Sequence, residues 1–128
     1  MQEKAFLRRV QEELGALATR QDADRWSMAV LGALCDLLAD AETRRRFLSQ
    51  LPGTFKARLL ANEPGAYDMD PDTLVQRVAA ALGVHAPEGE RAVRVVYRVL
   101  GDAVSPGQLA EYEARLPNDL AVFLKRPG

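Results

Sequence analysis

Apolar side chains recur along this chain every three or four residues, which is the spacing of one face of an α-helix. Near the N-terminus, for example, Phe6, Val10 and Leu14 share a face between charged residues. Asp70-Pro71 and Ser105-Pro106 each place a capping side chain before a proline, a pattern typical of helix starts. No segment alternates convincingly with the period of two that a strand requires. The pattern predicts an all-α protein of six to eight helices without a β-sheet.

This pattern occurs twice along the chain. The matching segments and residues, first copy before second, are Phe6-to-Gly15 with Leu74-to-Gly83, Leu34 with Leu100, Asp36 with Asp102, and Pro52 with Pro117. The offset between the copies shrinks only across predicted loops, as expected for two copies of one helical unit. We therefore predict two tandem, pseudo-equivalent halves, about 1–62 and about 70–126. The segment that joins them is short, so we expect the halves to pack into a single domain, 1–128.

Length and charge fit an ordinary globular protein. The 128 residues suit one domain. They carry 17 basic and 18 acidic side chains, whereas nucleic-acid modules usually show a basic excess. A single cysteine, Cys35, cannot form an internal disulfide, and the N-terminus has no secretory signal pattern. The longest uncharged apolar run, Trp26 to Cys35, is about half the ~20 residues of a membrane span. We expect a cytoplasmic protein without a membrane contact.

Metal-binding and catalytic patterns are incomplete in this sequence. The segment Asp68 to Asp72 resembles the start of a calcium-binding loop, but Thr73 and Ala79 stand where glycine and a bidentate glutamate are needed. His85 and Cys35 are the only residues of their types, so no zinc ligand set can be built from them. No Glu-x-x-His pair and no glycine-rich phosphate loop occurs. We expect no metal, no cofactor and no catalytic residue, and hence no enzyme.

Two groups of arginines form the candidate interaction surface: Arg44, Arg45 and Arg46, and Arg91, Arg94 and Arg98. The first group is consecutive and fans around a helix, whereas the second, spaced i, i+3, i+7, forms a row. Glu90 stands four residues before Arg94, and Asp102 four residues after Arg98, so we predict ion pairs within the helix. A solvated, self-neutralised surface is the interpretation that we adopt. An acidic protein partner and phosphate or nucleic-acid contact are the alternatives.

The two longest predicted helices differ in character. The positions of Arg94 and Arg98 are occupied by Met28 and Gly32 in the first copy, where Trp26 to Cys35 is apolar or small on nearly every face. Such a helix is either central in a core or covers an interface. Trp26, Met28 and Gly32 therefore mark a face that is buried in the core or used for self-association. We favour the core.

These segments carry a resemblance to a known family. The spacing of LRRVQEELG and AVLGALCDLL in the first copy, and of LVQRVAAALGV in the second, resembles the bacterial family labelled domain of unknown function 2267. The most specific elements are Val104 to Leu109 and Arg115-Leu116-Pro117. The resemblance covers nearly the whole chain. It implies a compact, all-helical domain of two similar halves, and it implies no reaction, ligand or catalytic residue.

The function predicted from these observations is non-enzymatic. We expect an uncharacterised protein that acts through contacts with a protein partner. A homodimer is one of the assemblies that we consider. One alternative is a carrier with an apolar pocket between the halves, which would show an enclosed cavity of several hundred Å³. A weaker alternative is nucleic-acid binding through the arginine faces, which would require one contiguous basic face.

Overall fold

The computed structural model describes residues 1–38, 40–60 and 69–126, which form eight α-helices and no strand. The helices are α1 (Glu3–Leu14), α2 (Arg20–Asp36), α3 (Ala41–Ser49), α4 (Phe55–Leu60), α5 (Pro71–Leu82), α6 (Ala86–Ala103), α7 (Pro106–Ala114) and α8 (Asn118–Lys125). The predicted all-α class is confirmed, with the helix count at the upper end of the expected range.

Capping side chains fix the starts of the helices that begin with a proline. The Asp70 carboxylate accepts a hydrogen bond from the Thr73 backbone N–H at 2.7 Å, directly before α5. The Ser105 hydroxyl accepts one from the Gln108 backbone N–H at 3.3 Å, directly before α7. Each bond satisfies an amide that has no carbonyl partner in the first turn. Both predicted caps are confirmed.

Helices α2 and α6 lie at the centre of the molecule. Helix α2 packs against α1, α3, α4, α5 and α6, and helix α6 packs against α1, α2, α5 and α8. Their inner faces carry fully buried aliphatic residues such as Val30, Leu34 and Leu100. Phe6 packs edge-on against Phe55 with 5.4 Å between ring centroids, which joins α1 to α4. One hydrophobic core thus runs through the described part of both predicted halves.

Helix order and packing are alike in the two predicted halves. The helices have 12, 17, 9 and 6 residues in the first half and 12, 18, 9 and 8 in the second. Helix α1 packs on α2 and on α6, just as α5 packs on α6 and on α2. Exchanging α1 with α5 and α2 with α6 therefore leaves this set of packed pairs unchanged.

Two ion pairs between the halves follow the same exchange. Arg9 on α1 pairs with Asp102 on α6 at 2.5 Å, and Arg77 on α5 pairs with Asp36 at the end of α2. Asp36 and Asp102 are matching positions in the two copies, and so are Arg9 and Arg77 within the matched segments. Each arginine thus binds the aspartate of the other half.

A second matched set of contacts caps two helix ends. Arg25 on α2 donates to the Leu82 carbonyl at the end of α5 at 3.2 Å, and Arg91 on α6 donates to the Leu14 carbonyl at the end of α1 at 3.2 Å. The last carbonyls of a helix have no hydrogen-bond donor within that helix. Each guanidinium therefore supplies a donor from the other half. These contacts support the two-half repeat, which itself stays a prediction.

Candidate interaction groove on helix α6

Arg94 lies partly buried on α6 and makes several contacts. Its guanidinium stacks over the Phe123 ring at 4.8 Å from the ring centroid. It also donates to the Glu90 carboxylate at 3.3 Å and to the Arg126 backbone carbonyl at 3.1 Å. The ion pair predicted between Glu90 and Arg94 is therefore present, and Arg94 in addition ties α6 to the end of α8.

Arg98 has a different partner from the one predicted. It pairs with Glu13 of α1 at 2.8 Å, whereas Asp102 pairs with Arg9 of α1. The expected Arg98–Asp102 pair within α6 is wrong, because α1 packs along this side of α6 and supplies both partners. Arg91 also reaches α1, where it donates to the backbone carbonyl of Glu13 at 3.1 Å. In the arginine row, Arg94 is thus neutralised by its own helix and Arg98 by α1, whereas Arg91 bonds to backbone carbonyls of α1.

A groove of about 280 Å³ opens to solvent where α6, α7 and α8 meet. We call it the α6–α8 groove, and its lining residues are Arg94, Tyr97, Arg98, Gly101, Leu109, Glu113, Leu124, Lys125 and Arg126. Leucines and a tyrosine ring provide apolar surface within it. Four cationic side chains and one carboxylate give the lining a formal charge of +3 at pH 7.

The charges of the α6–α8 groove differ in how far they are neutralised. Arg94 and Arg98 each have an ion-pair partner. Lys125 and Arg126 are exposed, and within the described ranges their side chains have no ion pair. The Glu113 carboxylate accepts a hydrogen bond from the Tyr97 hydroxyl at 2.6 Å. Burial of Tyr97 raises the pKa of its phenol, which therefore stays protonated as the donor.

The three consecutive arginines on α3 lie in three different environments. Arg44 is buried and pairs with Asp36 at 3.3 Å, so the expectation that it is solvated is wrong. It lies on the face of α3 that packs against α2. Arg46 pairs with Glu111 on α7 at 2.7 Å, and Arg45 is exposed. The predicted fan is present, but only Arg45 is left as an open cationic side chain.

The three residues that mark the apolar face of α2 are partly buried. Trp26 lies beside Arg91, whose guanidinium is 6.0 Å from the indole ring centroid. A Cβ atom on Gly32 would lie 3.5 Å from a methyl group of Leu59, so α4 covers this part of the helix. Met28 also packs against the core. Whether a second copy of the chain uses this face stays a prediction.

The residues that could bind a metal or act as a nucleophile lie in surroundings typical of structural residues. Cys35 is fully buried, which raises the pKa of its thiol to about 12 and disfavours the reactive thiolate. His85 precedes α6 and is exposed. Of the calcium-like segment, Asp68 lies outside the described residues and Asp70 caps α5. In the part of the chain that the structure describes, no three acidic, histidine or cysteine side chains cluster as metal ligands would.

The chain was compared with known families and curated proteins. Residues 3–123 match the model of the family described as uncharacterized conserved protein (DUF2267). The chain belongs to this family. The match spans α1 through most of α8 and ends before Leu124, Lys125 and Arg126, which line the α6–α8 groove. No curated protein matches the chain. No described helix of this DUF2267 member is long and apolar enough to cross a membrane.

Sequence reasoning missed three charged residues of the α6–α8 groove, namely Glu113, Lys125 and Arg126. They belong to helices that follow α6 in the chain, and only tertiary packing brings them beside it. The one available signal was the adjacent pair of cations that follows the apolar stripe of the last helix. Cations at a helix C-terminus also complement the helix dipole, so the pair alone does not indicate a binding site.

Proposed function

We propose that this protein is a non-enzymatic interaction module whose α6–α8 groove binds an acidic segment of a protein partner. The observation that carries the proposal is the pair Lys125 and Arg126, two exposed cations without ion pairs in the described structure, beside apolar surface. Apolar contact supplies most of the affinity at protein interfaces, and complementary charge supplies orientation and speed of association. The α6–α8 groove combines both kinds of surface.

The alternative of an apolar-ligand carrier has less support. Three grooves described in the structure have volumes of about 280, 310 and 410 Å³. Each is open to solvent and has charged side chains in its lining, whereas carrier pockets enclose most of the ligand in apolar surroundings. Cys35, the only thiol, is buried with a raised pKa, which also supports a non-enzymatic role.

Nucleic-acid binding has less support for a different reason. The arginine row on α6 is interrupted by acidic side chains, since Arg94 pairs with Glu90 and Arg98 pairs with Glu13. A phosphate backbone is bound by cations that can release their counterions, and these two arginines already face carboxylates. Glu113 adds a further negative charge inside the groove.

A charge-reversed double variant tests the proposal. The protein with Lys125→Glu and Arg126→Glu should no longer retain the partner in affinity purification from cells, because the two available cations have been removed. The matched control is Arg45→Glu with Lys56→Glu, which changes the net charge equally at two other exposed positions. Circular dichroism should show both variants fully helical. A partner that both variants retain equally would contradict the proposal.

A further inference from the structure

The α7 and α8 sides of the α6–α8 groove carry opposite charges. Helix α8 and its end supply Lys125 and Arg126, whereas α7 supplies Glu113. Glu113 is not neutralised by a cation, because its described partner is the neutral hydroxyl of Tyr97. An occupant of the groove therefore meets positive charge on one side and negative charge on the other.

The same groove also has an apolar lining. Leu109 of α7 and Leu124 of α8 both line the groove, and Gly101 of α6 keeps its base open. A Cβ atom on Gly101 would already lie 3.6 Å from Leu109, so a larger side chain there would reduce the space. The volume of about 280 Å³ is slightly below the ~300–1,000 Å³ of pockets that hold drug-sized ligands. It suits one bulky apolar side chain rather than a whole helix.

We infer that the partner segment presents one bulky apolar side chain, with carboxylates on its α8-facing side and none on its α7-facing side. This inference rests on the proposed function and specifies the chemistry of the partner. Exposed ion pairs each contribute little, so carboxylates alone would bind weakly and the apolar anchor is required. A carboxylate beside Glu113 would meet a like charge, which disfavours the reversed orientation.

Four short fluorescent peptides of one length test the inference by anisotropy. Two of them carry a central leucine with glutamates on one side and serines on the other. One has its glutamates before the leucine, and the other has them after it. The third carries glutamates on both sides of the leucine, and the fourth has the leucine of the better one-sided peptide replaced by serine. One of the one-sided peptides should bind best, and replacing its leucine should weaken binding by about tenfold or more.

Variants of the protein test whether the peptides bind in the α6–α8 groove. Lys125→Glu with Arg126→Glu should weaken the best peptide by about tenfold or more, whereas Arg45→Glu with Lys56→Glu should not. Glu113→Gln should improve binding of the peptide with glutamates on both sides. On wild-type protein, amide chemical shifts should change near 97–101, 109–113 and 124–126, a readout that does not depend on how any variant folds.

Several outcomes would overturn the inference. These are no saturable binding of any peptide, equal binding with and without the leucine, equal binding in both directions, or tighter binding of single-stranded DNA of equal charge. If a purified partner nevertheless depends on Lys125 and Arg126, the inference fails while the proposed function stands. If the partner ignores those two residues, the proposed function fails as well.

Discussion

Asp36 is a carboxylate taken out of water, with a side chain that is 8% exposed. It pairs with Arg44, which is 9% exposed, and with Arg77 from α5. Removing one partner of a buried pair is costly because the remaining charge is left without compensation. The matching position in the second copy, Asp102, is 58% exposed and pairs with Arg9 at the surface. We therefore expect the aspartate to contribute differently to the free energy of unfolding in the two predicted halves.

Neutralising each aspartate in turn should reveal this difference. Asp36→Asn should lower the free energy of unfolding by about 3–5 kcal/mol, because Arg44 would stay buried without its counterion. Asp102→Asn is the matched control and should cost less than about 1 kcal/mol, as exposed pairs do. Urea denaturation of both variants measures the two values. Equal losses would show that the burial of Asp36 has no energetic consequence.

Charge partners of single residues could be predicted only where they are local in sequence. Glu90 lies one helical turn from Arg94, and that pair is present. Arg98 and Arg44 have partners on other helices, Glu13 and Asp36, so spacing along the chain could not identify them. Local ion pairs follow from helix geometry, whereas pairs across helices require knowledge of the packing.

Helices α5 and α6 approach each other closely at Gly89. A Cβ atom there would lie 2.8 Å from the Cβ atom of Ala79 and 2.8 Å from the backbone oxygen of Val75. Backbone atoms of a packed helix cannot move aside cheaply, so only glycine fits without a shift. The close approach lets Val93 and Leu74 on these helices be fully buried in the common core.

Filling this contact should therefore destabilise the protein. Gly89→Ala should cost about 1–2 kcal/mol, because overpacking outweighs the gain of ~1 kcal/mol in helix propensity. Gly107→Ala in α7 is the control, since no described atom beyond its chain neighbours and its own helix backbone lies within 4 Å of its Cβ position. That variant should be neutral or slightly stabilised in thermal unfolding. A stabilised Gly89→Ala variant would contradict the packing of α5 on α6.

The aspartates that cap helices should make stability depend on acid pH. Hydrogen bonds from Thr43 and Thr73 hold the pKa values of Asp40 and Asp70 below the ordinary value of 3.8. A carboxyl group with a lower pKa in the folded state stabilises it above the unfolded pKa, and that stability is lost as pH falls through the folded value.

The melting temperature should therefore fall below about pH 4. Asp40→Asn with Asp70→Asn keeps the caps, since asparagine also accepts the amide hydrogen bond, but removes their titration. Its melting temperature should depend less on pH between about 2 and 5 than that of the wild type. Identical pH profiles would rule out a contribution from these caps.

The starts of α5 and α7 were the easiest elements to predict, because Asp70-Pro71 and Ser105-Pro106 carry their signal in adjacent residues. The central position of α2 was also favoured by its apolar surface from Trp26 to Cys35. The α6–α8 groove was not predictable, because its lining comes from three helices whose mutual placement depends on the whole core.

At the scale of the whole molecule, the repeat predicts a single rotation between the halves. The rotation that brings Val10 onto Val78 should also bring Leu34 onto Leu100 and Pro52 onto Pro117. An experimental structure, superposed on itself by α1 and α5 alone, measures this directly. If the other two pairs then require unrelated rotations, the matched sequence positions do not reflect a structural duplication.

The hydrogen bonds that Arg25 and Arg91 make across the molecule have a practical consequence for mapping experiments. Each predicted half contributes a helix end whose last carbonyl accepts a hydrogen bond from an arginine of the other half. A fragment that contains one half would therefore expose apolar surface and unsatisfied carbonyls together, and we expect it to aggregate or unfold. Deletion mapping of a partner would then report loss of folding rather than loss of contact. Single substitutions in the intact chain are the reliable way to locate what this protein binds.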